Sequence, residues 1–473
     1  MHLGWGLARP AAKILRSGSV IIRFLASKSL SFMPFGVPGL KRILVSIFVL
    51  LGASLTAISC GSSGAPSTNK GPSGLKFRAF ISNPLYPTTS SGTPVLNIVD
   101  ASQDQLSRSV VSLLGGSAQP GLMALSPSLQ FTMIFSPTGN AVTLVNNTTE
   151  SVASGVGSIT LPGFTESMFI GNTNTTAYAA VPTAPVTGQN PGAVEVLNLQ
   201  TGSIAASIPV PGAHYIVPSP DGNYILVFSD NSDTVTVITT IFIGTNTDPR
   251  SYVTGFDHPV WGIFSNSTSA YVLNCGPQCG GTAAGVSVLD LGASTSTSTI
   301  PLSAATYGLL SGSTLYVAGT PPPNPPGTNT CAGTKTAATS CGKLSVIDTN
   351  SMSVVGSVTI TDGYHDRMQI SQDGQLFIGS RGCSNINISG GEVRGCLSIF
   401  NTNSSSIVIP PQNGDVTGIQ PIAGRTVVYL IQNGALWIYD TTTDKLQVSP
   451  TNSLNNNGQV DIVGQLFDLK LVD

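Results

Sequence analysis

The chain has 473 residues, of which only 9% are charged, with 52 glycines and 32 prolines. Its formal net charge of −2 hides an asymmetry: seven Lys and Arg precede Cys60 with no acidic residue among them, so the stretch after Cys60 carries 20 − 7 = 13 basic and 22 acidic side chains, a net of 13 − 22 = −9. So acidic a chain, with no basic run, argues against nucleic-acid binding, where affinity comes largely from Lys and Arg neutralising phosphates.

The first informative segment is N-terminal. Lys41 and Arg42 precede the apolar run Ile43 to Leu51, and small residues then lead to Ala57-Ile58-Ser59-Cys60. This is the layout of an export signal. It resembles a bacterial lipoprotein signal with those four residues as the lipobox. The resemblance implies that Cys60 is acylated, becomes the first mature residue and anchors the chain to a lipid bilayer. A transmembrane anchor is the alternative, but Ile43 to Ile58 is 16 residues, short of the ~20 a spanning helix needs. Residues 1–59 therefore read as a signal region, with Met33 as an alternative start. By the same likeness, Gly61 after the cysteine fits sorting to the outer membrane, facing the periplasm or the cell surface. Residues 60–76 are rich in Gly, Ser and Pro without an apolar run, which predicts a lipidated flexible tether.

From residue 77 onward short β-rich runs alternate with turn residues. One run recurs and ends in Asp, Asn or Thr: Val95–Asp100, Val142–Asn146, Val194–Asn198, Val235–Thr239, Val286–Asp290, Leu344–Asp348, Leu397–Asn401 and Leu436–Asp440. The last residues are spaced 46, 52, 41, 51, 58, 53 and 39 apart. A second strand type precedes each, as in Tyr271–Asn274 and Leu315–Ala318. A third often comes before that and ends in a turn such as Ser219-Pro-Asp-Gly222. A period near 50 with several strands per repeat predicts an all-β fold, a single β-propeller over 77–473. The 397 residues give about 50 for each of eight four-stranded blades, with seven blades as the alternative. The chain enters on the second strand type. The missing inner strand is expected from Val460–Val463 or Leu466–Leu471, pairing the N- and C-terminal strands.

The repeats resemble the YVTN family of β-propeller proteins. Tyr271-Val272-Leu273-Asn274 with Val286–Asp290, and Tyr316-Val317-Ala318 with Leu344–Asp348, carry the likeness. It covers most of 77–473 and decays at Ala177–Ala180. It implies a fold and little chemistry, since fold does not fix function.

Six cysteines remain after Cys60: Cys275, Cys279, Cys331, Cys341, Cys383 and Cys396. Their even number and short spacings in an exported chain point to disulfides, with a zinc site as the alternative for the Cys-x3-Cys pair. Three histidines remain too. His214, His258 and His365 each lie at the entry to an inner strand, on the face where the cysteine loops also emerge. Pinned loops on a rigid scaffold are where sites are built. The candidate ligand-binding set is therefore His214, Asp257, His258, Tyr364, His365, Asp366, Arg367 and Glu166. Imidazoles with carboxylates suit a divalent metal, an anion or a sugar-like ligand. Loop packing is the competing account of each histidine. No Gly-x-Ser-x-Gly elbow supports nucleophilic catalysis. Asp230 and Asp233 read as a plain hairpin loop, and Pro321–Pro326 as a stiff covering flap. The expectation is a binding or scaffold module for an unidentified ligand or protein partner, without an assigned catalytic residue or cofactor. A metal-dependent propeller hydrolase or lactonase is the alternative.

Overall fold

The computed structural model describes residues 71–84, 93–114, 116, 118–322, 341–383, 386–388, 392–447 and 458–473. The signal region, Met33, Cys60 and Cys331 lie outside the described residues. Helix among the described residues is confined to two short 3-10 turns, Thr240–Phe242 and Gly276–Cys279. No helix there is long and apolar enough to cross a membrane.

Everything else regular is strand, and the repeat resolves into antiparallel units that run up and down in sequence order. In one unit Ala213–Pro218, Tyr224–Ser229, Thr234–Thr239 and Arg250–Thr254 pair in that order. The next begins with Pro259–Phe264 and the one after with Tyr307–Ser311. Near the N-terminus two such units merge into one nine-stranded sheet through a single parallel bridge, Ser112 to Ser151. At the chain ends Asp468–Leu471 pairs antiparallel with Arg78–Ser82, Ala79 opposite Leu471. Val460, the first residue of the other segment expected for that place, belongs to the strand Gln459–Val460, which pairs instead with Ala435–Asp440.

Burial explains why the alternation in sequence is weak. Second and third strands are buried on both faces, as in Thr234–Thr239, where the four central residues are all buried. Fourth strands are mostly exposed, as in Ser203–Pro209. A unit thus needs a neighbour on each face. Each Val, Ile or Leu buried this way contributes roughly 1.5–3 kcal/mol. First strands touch in cyclic order: 123–125, 167–170, 213–218, 259–264, 307–311, 364–370, 416–421, 468–471 and again 123–125. Gly418 permits one of these approaches, because a Cβ there would collide with Leu469.

The recurrent Asp or Asn has a local cause. Asp100, Asn146, Asn198, Asp290, Asp348, Asn401 and Asp440 each accept the N–H two residues on through the side-chain oxygen. This Asx turn starts the hairpin to the fourth strand. The residue four places later is left-handed in every case, from Asp104 at φ 60° to Met352 at 50° and Gly202 at 67°. Thr239 has no such carboxamide or carboxylate, and a 3-10 turn follows it instead.

Two ion networks fasten the chain ends. Arg78, 3% exposed, pairs with Glu150 at 2.7 Å and Asp473 at 2.6 Å. Arg425 grips Asp104, which also accepts the Tyr429 hydroxyl. The expected tether docks from residue 71 onward: Ser73 donates both its N–H and its hydroxyl to Glu150. That contact needs no apolar run, so composition gives no sign of it.

Candidate functional site

The first strands share a local irregularity. Register slips by one residue at His214, Val260, Asp366 and Thr417, near the start of four of them. A bulge of this kind leaves one residue out of the ladder and re-aims its side chain. Two of the candidate residues, His214 and Asp366, sit on these bulges. His258 precedes its strand with φ 49°, a left-handed conformation that histidine tolerates only as a single turn residue.

Those strand starts and the loops between second and third strands border a cavity of about 870 Å³. His214, His258 and Tyr364 line it, with Tyr215 and Arg381 on the strand side and Cys279 on the loop side. Cys275 and Cys279 form a disulfide, as do Cys383 and Cys396, and Cys341 is disulfide-bonded too. The first of these closes a turn that places Gln278 across two neighbouring units. Gln278 accepts the Thr320 N–H at 2.9 Å and donates to Gly363 O at 3.4 Å. Pro321 and Pro322 stand at the edge of the cavity, and the rest of the proline run lies outside the described residues.

His214 is held from both sides. Nε2 lies 2.6 Å from Glu166 Oε2 and Nδ1 lies 2.6 Å from Asp230 Oδ1, while the ring stacks on Tyr215 with centroids 4.3 Å apart. Burial works against its charge, but the hydrogen bonds to Asp230 and Glu166 prevail and raise the pKa to about 9. It is an imidazolium at neutral pH, with both N–H groups donating. Asp230 belongs to the supposed plain hairpin loop, so sequence reasoning missed a partner of the site. Asp233, from the same loop, lies 3.2 Å from His258 Nδ1, and Asp257 lies 3.6 Å from it. Ligand atoms of Asp233, Asp257 and His258 all fall within 4.8 Å of one another. Asp257 is already occupied, accepting the N–H groups of Thr282 and Ala283.

His365 does not reach the cavity. It is fully buried, with Nε2 3.0 Å from Thr361 O, and a Cβ on Gly342 would come 2.8 Å from its Cε1. Burial lowers its pKa to about 4. It is a neutral packing residue, which corrects its place among the ligand candidates. The ladder explains this: its neighbours Tyr364 and Asp366 take the cavity side and the bulge, and His365 pairs with Ser380 in the regular register.

Asp366 and Arg367 lie deeper along the same strand, with side chains 4% and 8% exposed. Arg381, on the neighbouring strand, comes within 2.6 Å of Asp366 through Nε. Burial pushes the Asp366 carboxyl up, against the pull of Arg381 and Arg367, and pushes the Arg367 guanidinium down. Near Tyr215 runs an aromatic row. Trp261 meets Tyr215 at 6.0 Å and Tyr307 at 4.9 Å. Arg381 was also missed. Its signal was rarity, an arginine in Gly379-Ser-Arg-Gly-Cys383 within a chain that is only 9% charged.

No protein-family model matches the chain, and no curated protein matches it either. Solved structures do. The likeness to dihydro-heme d1 dehydrogenase NirN in complex with DHE has a TM-score of 0.54 at 13% identity, over 85% of this chain and 76% of that one. The Dos1 propeller aligns over 72% of this chain and 86% of its own, with a TM-score of 0.49 at 11% identity. Hydrazine synthase of Kuenenia stuttgartiensis covers 71% and 96%, with a TM-score of 0.49 at 15% identity. At such identities a likeness speaks for fold alone, and with the NirN structure the chain shares the β-propeller.

Proposed function

We propose that this chain is an exported lipoprotein whose propeller binds a ligand or a protein partner on its disulfide-pinned face. The observation that carries the reading is the cavity where His214, His258 and Tyr364 meet the Cys275–Cys279 turn. Glu166 supports it through its bond to His214, and Asp257, Asp366 and Arg367 stand behind it. The propeller has eight blades and is closed by the chain ends. The pairing of Asp468–Leu471 with Arg78–Ser82 and the cyclic order of first strands support this count. Kinship with YVTN repeats is supported by the way Tyr271–Asn274 pairs with the Val286–Asp290 run, and the Tyr316 strand with Leu344–Asp348.

A ligand screen by thermal shift on the purified mature protein tests the binding role. A hit whose stabilisation vanishes in Tyr364→Ala and His214→Ala supports it; hits untouched by both substitutions place binding elsewhere and refute it. The anchoring role is tested by metabolic palmitate labelling, which must disappear in Cys60→Ser. The Asp233, Asp257 and His258 group favours a second reading, a metal-dependent propeller enzyme. Stoichiometric zinc or calcium in the purified protein, lost in His258→Ala, would favour it. Metal-free protein with unaltered ligand binding would leave the binding module.

A further inference from the structure

One connection of the propeller is out of pattern. After Asn146 the next strand begins at Ser151, and after Asp290 at Thr295, but after Thr239 it begins only at Arg250. The intervening stretch opens on the 3-10 turn Thr240–Phe242, which buries none of its residues. Ile241 is 75% exposed and Phe242 40%, while Ile243 turns inward against the core. The turn is fixed by its own backbone: Ile243 donates its N–H to Thr240 O, and Thr245 donates to Phe242 O. Apolar residues scattered singly over a surface need no account. Two adjacent ones held out together form a patch that water disfavours.

The patch lies on the side of the propeller opposite the cavity. First strands start at the cavity, as His214 shows. Third strands run the same way within an antiparallel unit, so they end away from it. Thr240 accordingly donates its hydroxyl to Gly222 O, in the turn beyond the end of Ala213–Pro218. The N-terminal segment docks on that same side. Gly71 sits where a Cβ would strike the Glu150 carboxylate, and Ser73 donates to Glu150. Glu150 holds Arg78, which also grips Asp473, beyond the end of Asp468–Leu471. Hydrogen bonds from turn to turn join the two places. Arg78 donates to Asn147 O, Asn147 to Leu129 O, Asn174 to the Ser128 hydroxyl, and Asn172 to Pro220 O.

We infer that this side faces a lipid bilayer, with Ile241 and Phe242 as its contact with the lipid, so that the cavity opens away from the membrane. The inference rests on the reading of Cys60 as the acylated residue and adds an orientation to it. From Cys60 to Gly71 the chain takes 71 − 60 = 11 steps. Fully extended, these reach at most about 40 Å. Turning the cavity side to the membrane would use about 20 Å of that in passing the length of a six-residue strand. A tether this short also holds the patch beside the bilayer at roughly millimolar effective concentration, so a contact too weak to recruit a free protein suffices. Apolar side chains settle at the boundary of headgroups and acyl chains. Charge selects the kind of surface. Asp221 lies in the adjoining turn, Asp248 is already paired with Arg250 at 2.9 Å, and the Asx-turn carboxylates Asp100, Asp290 and Asp348 lie on the same side. Anionic lipid attracts basic segments and repels such a face, so the surface that fits is zwitterionic.

The mature acylated protein, reconstituted in phosphatidylcholine vesicles, tests this. Phe242→Trp is the reporter. Leu114→Trp is its counterpart, at a residue 75% exposed beyond the cavity-side end of the fourth strand Gln105–Ser112. With the parent emission subtracted, brominated phosphatidylcholine should quench Phe242→Trp about threefold more than Leu114→Trp. Adding Ile241→Ser and Phe242→Ser to Leu114→Trp should raise its quenching, because the propeller then loses its preferred orientation. Mixing in phosphatidylglycerol should lower the quenching of Phe242→Trp, and an increase would overturn the zwitterionic assignment. Equal quenching of the two reporters, or stronger quenching of Leu114→Trp, in protein that floats with the vesicles overturns the orientation and leaves the anchor standing. Failure to float, with no acyl mass on the N-terminal peptide, removes anchor and inference together. A blue-shifted Phe242→Trp emission without vesicles, with a dimer in sedimentation that Ile241→Ser abolishes, gives the patch to a second copy of the chain and overturns the lipid contact.

Discussion

His214 and His365 are each the second residue of a first strand, and the propeller treats them in opposite ways. His214 lies on a bulge, faces the cavity and is clamped by two carboxylates that keep it charged. His365 stays in the regular ladder, turns to the interior and meets only a carbonyl oxygen. One residue type at one repeat position therefore serves two purposes. What separates them is the local register and the company it provides, and neither is written in the histidine itself.

The dry histidine carries the larger effect. The unfolded chain protonates His365 near its ordinary 6.5, while the folded protein resists until about 4. Between those values the unfolded state binds more protons, so stability falls as pH falls. The full span is worth about 3 kcal/mol, since one unit is about 1.4 kcal/mol. Urea denaturation at pH 7 and pH 4 reads it. In His365→Leu the difference between the two pH values should shrink by that amount. An unchanged acid limb would mean that His365 is not the group responsible, and the contrast between the two histidines would collapse.

The mouth responds through its covalent pin and its charge. The Cys275–Cys279 bridge closes a very short loop, so chain entropy assigns it about 2 kcal/mol. Replacing both cysteines with serine should lower denaturation stability by about that much and weaken cavity ligands further, because Gln278 would lose its fixed reach to Gly363 and Thr320. Equal ligand affinity in the variant would show that the pin serves stability alone. His214 has the opposite pH sign to His365. Its folded pKa lies near 9, above the unfolded value, so its contribution is complete below about 6.5 and is lost as pH rises through 9. We expect about 1–2 kcal/mol, less than the full shift because Asp230 is half exposed and solvent screens it. His214→Gln should flatten the alkaline limb in the same denaturation series and leave the acid limb untouched.

Much of this fold was legible because its cause is local. The Asp or Asn that ends every described third strand but the one closing on Thr239 makes an Asx turn in the same hairpin, so a period near 50 stands out without any knowledge of partners. The face of the site was legible for a similar reason: strand entries and second-to-third loops must emerge together in an up-and-down unit. What the sequence hid depends on long-range pairing. Asp230 looks like loop filler until it meets His214, and Arg381 lies 15 residues beyond Asp366 in sequence yet 2.6 Å from it in space. His365 misled because a bulge one residue away decides which side chains face the cavity. Docking of residues 71–76 was hidden because Ser73 and Glu150 hold it by polar contacts instead of an apolar run.

The smallest effect lies far from the cavity and checks that the site and the scaffold respond separately. Ser294 is the exposed fourth residue after an Asx-turn aspartate, with φ 51°. A residue with a Cβ pays roughly 1–2 kcal/mol to sit in that left-handed region, whereas glycine avoids the clash but gives back roughly 0.5–1 kcal/mol in unfolded-state entropy. Ser294→Gly should therefore stabilise the protein by about 0.5 kcal/mol, read as a small upward shift in urea midpoint with unchanged slope. The affinity of a ligand bound in the cavity should be the same as in the parent protein. Destabilisation would mean that the serine hydroxyl, and not the turn geometry, holds this hairpin. A change in that affinity would mean that the hairpin face and the cavity are coupled through the blade, and the division between a rigid scaffold and a responsive mouth would have to be redrawn.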